Sequence, residues 1–231
     1  MSSFTLNRGF LQTSVGKKTV IAITGFLLLG FVIAHMLGNL QIYLGQDQIN
    51  AYAKTLQDLG AILWVARISL LVAFTVHIYF AIKVTLENKA ARPVPYAVNK
   101  VHKAPLASRI MPITGIVILL FVLYHLAHFT FAALNPEFKE LRDSAGRHDV
   151  YTMVIQGFQN PISTVLYIIA QACLALPVGH LAHGAFSMLQ TLGVNHPNID
   201  MKVKGASVGV ALLIFLGNSS IPVAVLLGVI K

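Results

Sequence analysis

Residues 19–43, TVIAITGFLLLGFVIAHMLGNLQIY, contain no Asp, Glu, Lys or Arg and one histidine, His35. About 20 consecutive apolar residues are enough for a helix to cross a hydrocarbon core of about 30 Å. The stretch is too long for a typical signal core and lacks a convincing cleavage site, so we expect a retained transmembrane helix. An ionisable group inside a membrane usually faces the protein interior and serves a function, and His35 is such a group.

Four further apolar windows predict transmembrane helices near 61–84, 109–134, 161–188 and 206–229. The chain of 231 residues is 56% hydrophobic and 11% charged, whereas ordinary soluble domains are about a quarter charged. The five windows leave little sequence for a soluble domain. We therefore predict an all-α membrane protein with five transmembrane helices in one domain, 1–231, surrounded by the lipid bilayer.

The net charge of +9 is distributed by membrane side, which argues against a nucleic-acid partner. Eleven Lys and Arg residues lie at the N-terminus and in the second and fourth connections, and six lie at the opposite ends. The positive-inside rule then places the N-terminus in the cytoplasm. The cytoplasmic connection 85–108 contains Pro93, Pro95 and Pro105 and is either a solvated connector or a docking surface for a partner.

Three other apolar windows also contain deep histidines, namely His77, His125 and His180. His35 and His125 lie 16 residues beyond the predicted helix starts at 19 and 109, roughly 24 Å from the cytoplasmic side. His77 and His180 lie 7 and 8 residues from the predicted cytoplasmic ends at 84 and 188, roughly 11 Å deep. These depths predict an outer pair, His35 with His125, and an inner pair, His77 with His180, roughly 13 Å apart.

Two such pairs suggest two bis-histidine haems of the b type in a four-helix haem-binding bundle, with the histidine-free fifth helix flanking it. A haem with two histidine ligands has no open coordination position, so electron transfer is the chemistry that remains. The tetrad His-Leu-Ala-His occurs at 125–128 and 180–183, which makes His128 and His183 rival ligands, or groups that hydrogen-bond haem propionates or a quinone. Predicted depth narrowly favours His125 over His128 as the ligand of the outer pair, and it scarcely distinguishes His180 from His183 in the inner pair.

Smaller signals concern local helix structure. Gly30, Ala34 and Gly38 repeat every four residues, a spacing that serves either close helix packing or the approach of a flat macrocycle beside His35. Asn160-Pro161 predicts a helix start, with Asn as the N-cap and Pro at the first helical position. Pro177 predicts a bend in the fourth transmembrane helix.

The stretches VIAHMLGN, VHIYFAIK, LYHLAHF and GHLAHGAFSMLQTLGV resemble the four ligand-bearing segments of one family. It is the single-polypeptide, two-haem cytochrome b membrane anchor of bacterial succinate:quinone oxidoreductases and fumarate reductases. The resemblance covers nearly the whole chain, and its specificity lies in the order and spacing of short motifs. It implies that His77 and His180 bind the iron of an inner haem b, and His35 and His125 that of an outer haem b.

The resemblance also implies the rest of an enzyme complex in the bacterial cytoplasmic (inner) membrane. The partners would be a flavoprotein with FAD, which handles succinate or fumarate, and an iron–sulfur subunit. This chain would be the subunit that passes electrons to or from a quinone, commonly menaquinone, near the outer haem. Candidate quinone-binding side chains at the outer ends of the first two helices are Gln41, Tyr43, Asp58, Trp64 and Arg67.

One departure from the family concerns proton movement. Some fumarate reductases of this kind have a membrane glutamate just before the fourth ligand histidine, where this sequence reads Ala175-Leu176-Pro177-Val178-Gly179. Two other functions remain open at this stage. One is the cytochrome b subunit of a hydrogenase or formate dehydrogenase. The other is a haem-free transporter, although the sequence shows no half-to-half repeat apart from the duplicated tetrad.

Overall fold

The computed structural model describes residues 9–91, 106–175, 180–194 and 197–231. The structure is 85% helical and has no β-strand in these ranges. Short 3₁₀ turns connect several of the helices. In chain order the helices are α1 (Ser14–Asn39), α2 (Gln46–Asp58), α3 (Ala61–Ala90), α4 (Leu106–His125), α5 (Val150–Gln159), α6 (Pro161–Ala175), α7 (His180–Thr191) and α8 (Pro197–Leu226).

Five helical segments are long and apolar enough to cross a membrane, so the prediction of a multi-pass, all-helical membrane protein is confirmed. The third segment ends four residues earlier than predicted, and the fifth begins seven residues earlier, at Ile199. The early start includes Asp200, Lys202 and Lys204, polar residues that a hydropathy window leaves out. The segments are Ser14–Leu44, Ala61–Ala90, Arg109–Thr130, Pro161–Thr191 and Ile199–Leu226.

The helix ends follow from local chemistry. Asn160 caps α6 as predicted, since its side-chain oxygen accepts a 2.9 Å hydrogen bond from the Ile162 amide and Pro161 is the first helical residue. The last turn of the third segment, Leu126–Thr130, is a π turn, in which each amide reaches one residue farther back than in an α-helix. Helix α8 continues through the polar stretch 218–220, which therefore does not interrupt it.

Helix α1 is central to the bundle and packs against α3, α7 and α8. Near its N-terminus Lys17 is buried and forms an ion pair with Glu87 of α3, which holds these two helices together. Helix α8 packs on α6 and α7, so it flanks the other transmembrane helices. The spans of α3 and α4 bury few of their residues within the chain, as expected for helices that face lipid.

Two sequence predictions lie outside the described residues. Most of the proline-bearing connection belongs to 92–105, and Pro177 belongs to 176–179. The docking surface and the bend in the fourth transmembrane helix therefore stay predictions.

Helix α2 and its packing were missed by the hydropathy reading, because the helix is short and its mean hydropathy is low. Its apolar residues nevertheless follow the i, i+3, i+4, i+7 spacing of one helix face: Ile49, Tyr52, Ala53 and Leu56. Helix α2 packs against α5, and we call α2, residues 141–149 and α5 the outer cap. The outer cap covers the ends of the bundle helices on the side of His35 and His125.

A buried polar cluster joins the parts of the outer cap. The Asn50 amide donates hydrogen bonds to Asp149 Oδ1 at 3.0 Å and to Asp143 Oδ2 at 3.2 Å. Arg147 also donates to Asp143, at 2.7 Å. Burial by itself would raise the pKa of Asp143 and Asp149, but the hydrogen bonds outweigh it and hold the pKa of both carboxyls below the ordinary value. The folded outer cap therefore favours the charged carboxylates.

We expect the outer cap to lose stability in acid. Because the two pKa values are lower in the folded state, their stabilisation is fully present above about pH 3.9, the ordinary aspartate value. It disappears as the pH falls through the lowered folded values. The melting temperature of the detergent-solubilised protein should fall steeply in this range. Asp143→Asn should make the melting temperature depend less steeply on pH. Asp58→Asn, at an exposed surface ion pair, should leave this dependence unchanged. Equal slopes in all three proteins would contradict this account.

Candidate functional site

The outer pair consists of His35 on α1 and His125 at the end of α4. Their ring centroids lie 5.7 Å apart, and their planes cross at 87°. Phe31, one turn before His35, stacks on the His35 ring at 5.3 Å. The structure therefore brings together the two histidines that the depth argument assigned to the outer plane.

The inner pair consists of His77 on α3 and His180 at the start of α7. Their ring centroids lie 6.3 Å apart, with an interplanar angle of 66°. Nδ1 of His77 lies 3.1 Å from the Thr24 hydroxyl, and Nδ1 of His180 lies 3.4 Å from the Thr114 hydroxyl. Since Nδ1 of each ring faces a neighbouring helix, the opposite nitrogen, Nε2, is the one available to a ligand between the rings.

The separations of both pairs can be compared with that of two imidazoles bound to one metal. Metal–nitrogen bonds of about 2 Å on each side, plus the ring radii, place the centroids about 6 Å apart. The measured distances, 6.3 Å for the inner pair and 5.7 Å for the outer, are close to this value. Among the described residues, no cluster of three or more His, Cys, Asp or Glu could hold a metal ion. A two-nitrogen donor set suits an iron whose other four ligands come from a macrocycle.

The first tetrad places its two histidines in different surroundings. His125 faces His35, whereas His128 is 2% exposed and stacks on Phe129 at 4.1 Å. The Tyr167 hydroxyl lies 3.1 Å from His125 Nδ1 and 3.2 Å from His128 Nδ1. A phenol has one hydrogen, so Tyr167 donates to one ring and accepts from the other. Tyr167 therefore links His128 to His125. The ring that faces His35 is that of His125 and not that of His128.

The two histidines of the second tetrad also have different contacts. The His180 ring faces His77, whereas His183 Nε2 lies 3.4 Å from the Ser187 hydroxyl on the same helix. Depth alone could not separate these two histidines. The rotation of α7 about its axis, which the structure supplies, points His180 towards α3.

The stripe of small residues on α1 serves two different purposes. A Cβ on Gly38 would lie 2.8 Å from the Tyr52 ring, so close packing requires a glycine there. A Cβ on Gly30 would meet no atom within 4 Å, so packing does not explain this position. The packing interpretation holds at Gly38, whereas Gly30 is exposed and the approach of a flat macrocycle beside it stays a prediction.

The side chains predicted to bind quinone lie on the surface and are not gathered in one pocket. The Gln48 amide donates to Gln41, and Tyr43 is 42% exposed. Asp58 pairs with Lys54 and not with Arg67, which was the pairing considered from the sequence. Trp64 and Arg67 form a stack, in which the Arg67 guanidinium lies 5.1 Å from the centre of the exposed Trp64 ring.

A cavity of about 180 Å³ lies beside His35 instead, between α1 and the apolar face of α2. Its polar side chains are those of Asn39 and Tyr52, and its other walls include Ile49, Ala53 and Leu56. Tyr52 was not predicted because no helix was expected between residues 43 and 61, and Asn39 was not singled out within the first predicted transmembrane helix. The helical spacing of the apolar residues in α2 is the signal that could have identified Tyr52.

The site thus consists of two pairs of facing imidazoles at two levels of one bundle, with three of the four rings hydrogen-bonded at Nδ1. Hydrogen bonds at that nitrogen fix the tautomer and the orientation of a ligating histidine. No family model, curated protein or solved structure matches the chain.

Proposed function

We propose that this protein is the dihaem cytochrome b membrane anchor of a succinate dehydrogenase or fumarate reductase complex in a bacterial cytoplasmic membrane. The observation that carries the proposal is the pairing of four histidines from four helices into two facing couples, with centroid distances of 5.7 and 6.3 Å. His35 and His125 would hold the outer haem, and His77 and His180 the inner haem. Once bound, the two haems supply one-electron transfer between an iron–sulfur partner and a quinone.

The chain's own residues favour binding and electron transfer over substrate chemistry at iron. If His35 and His125 hold one haem and His77 and His180 the other, no coordination position would remain for oxygen or substrate. His77, His125 and His180 are partly buried and His35 is exposed within the chain, so the surrounding lipid would contribute to the exclusion of water, which limits the reorganisation that accompanies a change in charge. Chemistry on succinate then belongs to the flavoprotein partner, and this chain is a subunit of the enzyme without a succinate site.

The cavity beside His35 is our proposed place for the quinone ring, in preference to the surface residues predicted from the sequence. It adjoins an outer ligand, its walls are mainly apolar, and Tyr52 and Asn39 offer hydrogen bonds to quinone carbonyls. At about 180 Å³ it suits a head group, with the isoprenoid tail left in the lipid. Menaquinone is the quinone that the sequence resemblance implies.

The test is a reduced-minus-oxidised optical spectrum of the purified chain, with a haem count per polypeptide. We expect two low-spin b haems and their reduction by an added menaquinol analogue. Absence of a low-spin haem signal would overturn the proposal. Purification of the native complex separates the alternatives, because a partner with covalent FAD supports this assignment. A partner with nickel or molybdenum would replace it by a hydrogenase or formate dehydrogenase subunit.

A further inference from the structure

The segments that precede the two outer histidines match each other. Ile23-Thr24-Gly25 on α1 and Ile113-Thr114-Gly115 on α4 have the same sequence, and each threonine precedes its outer histidine by eleven residues (24 to 35, and 114 to 125). Eleven residues are close to three helical turns, so threonine and histidine share one helix face, roughly 16 Å apart along the axis. This separation is close to the distance of roughly 13 Å predicted between the outer and inner histidine pairs. Residues 23–35 and 113–125 therefore correspond to each other in the same chain direction, a repeat that was not predicted.

Each threonine contacts an inner histidine of another helix. Thr24 is buried, and its hydroxyl lies 3.1 Å from His77 Nδ1. Thr24 also donates to the Val20 carbonyl at 2.7 Å, so its oxygen is free to accept. His77 Nδ1 lies 3.2 Å from the Ile21 carbonyl as well. A carbonyl only accepts, so Nδ1 of His77 carries the hydrogen and Nε2 keeps its lone pair.

Thr114 of α4 and His180 of α7 repeat this arrangement. Thr114 is buried, donates to the Met111 carbonyl at 3.0 Å, and lies 3.4 Å from His180 Nδ1. The Met111 carbonyl is also a partner of His180. It belongs to the third residue before the threonine, as Ile21 does in the first half. Both inner histidines therefore face a threonine and the carbonyl three residues before it.

The glycine after each threonine lies beside the imidazole of an inner histidine. A Cβ on Gly25 would lie 3.4 Å from His77 Cε1 and 2.3 Å from the sulfur of Met188. A Cβ on Gly115 would lie 3.5 Å from His180 Cε1. Both distances to the rings are ordinary van der Waals contacts, so the residue that requires a glycine at position 25 is Met188 and not the imidazole.

We propose that Thr24 and Thr114 are positioning residues for the inner haem, each holding the Nδ1–H of one inner histidine so that its Nε2 faces the iron. This inference rests on the proposed function. Helices α1 and α4 would then serve both planes, each giving one ligand to the outer haem and one hydrogen-bond acceptor to a ligand of the inner haem. A hydrogen bond from Nδ1–H makes the imidazole more basic and stabilises the ferric state.

The test is a redox titration of the haems in Thr24→Val and Thr114→Val, variants of similar volume without the hydroxyl. The inner haem is identified as the one that His77→Ala loses. We expect both variants to raise the midpoint potential of the inner haem by a similar amount and to leave the outer haem unchanged. One lost hydrogen bond corresponds to at most about a tenfold change in the oxidation equilibrium, which is about 59 mV for one electron.

Two controls make the result specific. Thr24→Ser keeps the hydroxyl and should retain the wild-type potential. Thr75→Val lies two residues from His77, but its hydroxyl bonds the Leu71 carbonyl of its own helix, so it should have no effect. Selective loss of the inner haem in Thr24→Val, with rescue in Thr24→Ser, would also support the inference.

The outcomes separate this inference from the proposed function. Two haems in the wild type, with an inner potential unchanged in both valine variants, would overturn the inference and leave the proposed function standing. An equal shift in Thr75→Val would overturn the inference too. A wild-type chain that binds no haem would overturn the proposed function, and this inference with it.

Discussion

His125→Ala should lower the haem content of the purified chain from two haems to one, whereas His128→Ala should leave both haems bound. The reason is geometric, because His125 faces His35 at 5.7 Å while His128 is enclosed by Tyr124, Phe129 and Phe138. Without His125, only one of the two histidines that would hold the outer haem remains. The measurement is a haem count per polypeptide together with the reduced-minus-oxidised spectrum.

His35→Ala is the matched variant on the other side of the outer haem. It should remove the same spectral component as His125→Ala, because the two histidines would hold one iron. The component that remains in both variants should be the one that disappears in His77→Ala. If His128→Ala loses a haem and His125→Ala keeps two, the other member of the tetrad is the ligand.

The transmembrane helices and the two levels of histidines could be predicted from the sequence because each depends on distance along one helix axis. A rise of about 1.5 Å per residue converts position into depth without any knowledge of neighbouring helices. The pairs predicted in this way, His35 with His125 and His77 with His180, are the pairs whose rings lie close together. Their role as haem ligands stays a prediction.

Contacts that depend on rotation about the helix axis could not be predicted. Residues three apart on a helix differ little in depth, so depth preferred His125 over His128 only narrowly, and the contact of the His125 ring with the His35 ring is what separates them. The partners of the inner histidines are separated from them by 53 and 66 residues along the chain. The repeated Ile-Thr-Gly was visible in the sequence, but its meaning required the contacts of Thr24 and Thr114.

Asn50→Ala should destabilise the outer cap by roughly 2 to 5 kcal/mol, the cost expected when buried hydrogen-bond partners are left unsatisfied. Asn50 is fully buried, and its amide donates to Asp143 and Asp149 while its carbonyl oxygen accepts from the Tyr151 amide at 3.0 Å. Alanine removes all three bonds at once and leaves two carboxylates with fewer donors.

The consequence for function follows from the position of α2, whose apolar face closes the cavity beside His35. A loosened α2 would admit water to the outer pair, so Asn50→Ala should lower the melting temperature and slow reduction of the outer haem by menaquinol. Gln48→Ala is the matched control on the same helix, because Gln48 is exposed and bonds only the Gln41 side chain. Tryptic cleavage after Arg147 offers an independent readout, and it should accelerate in Asn50→Ala alone. Wild-type melting and cleavage in Asn50→Ala would show that the polar cluster does not hold the outer cap in place.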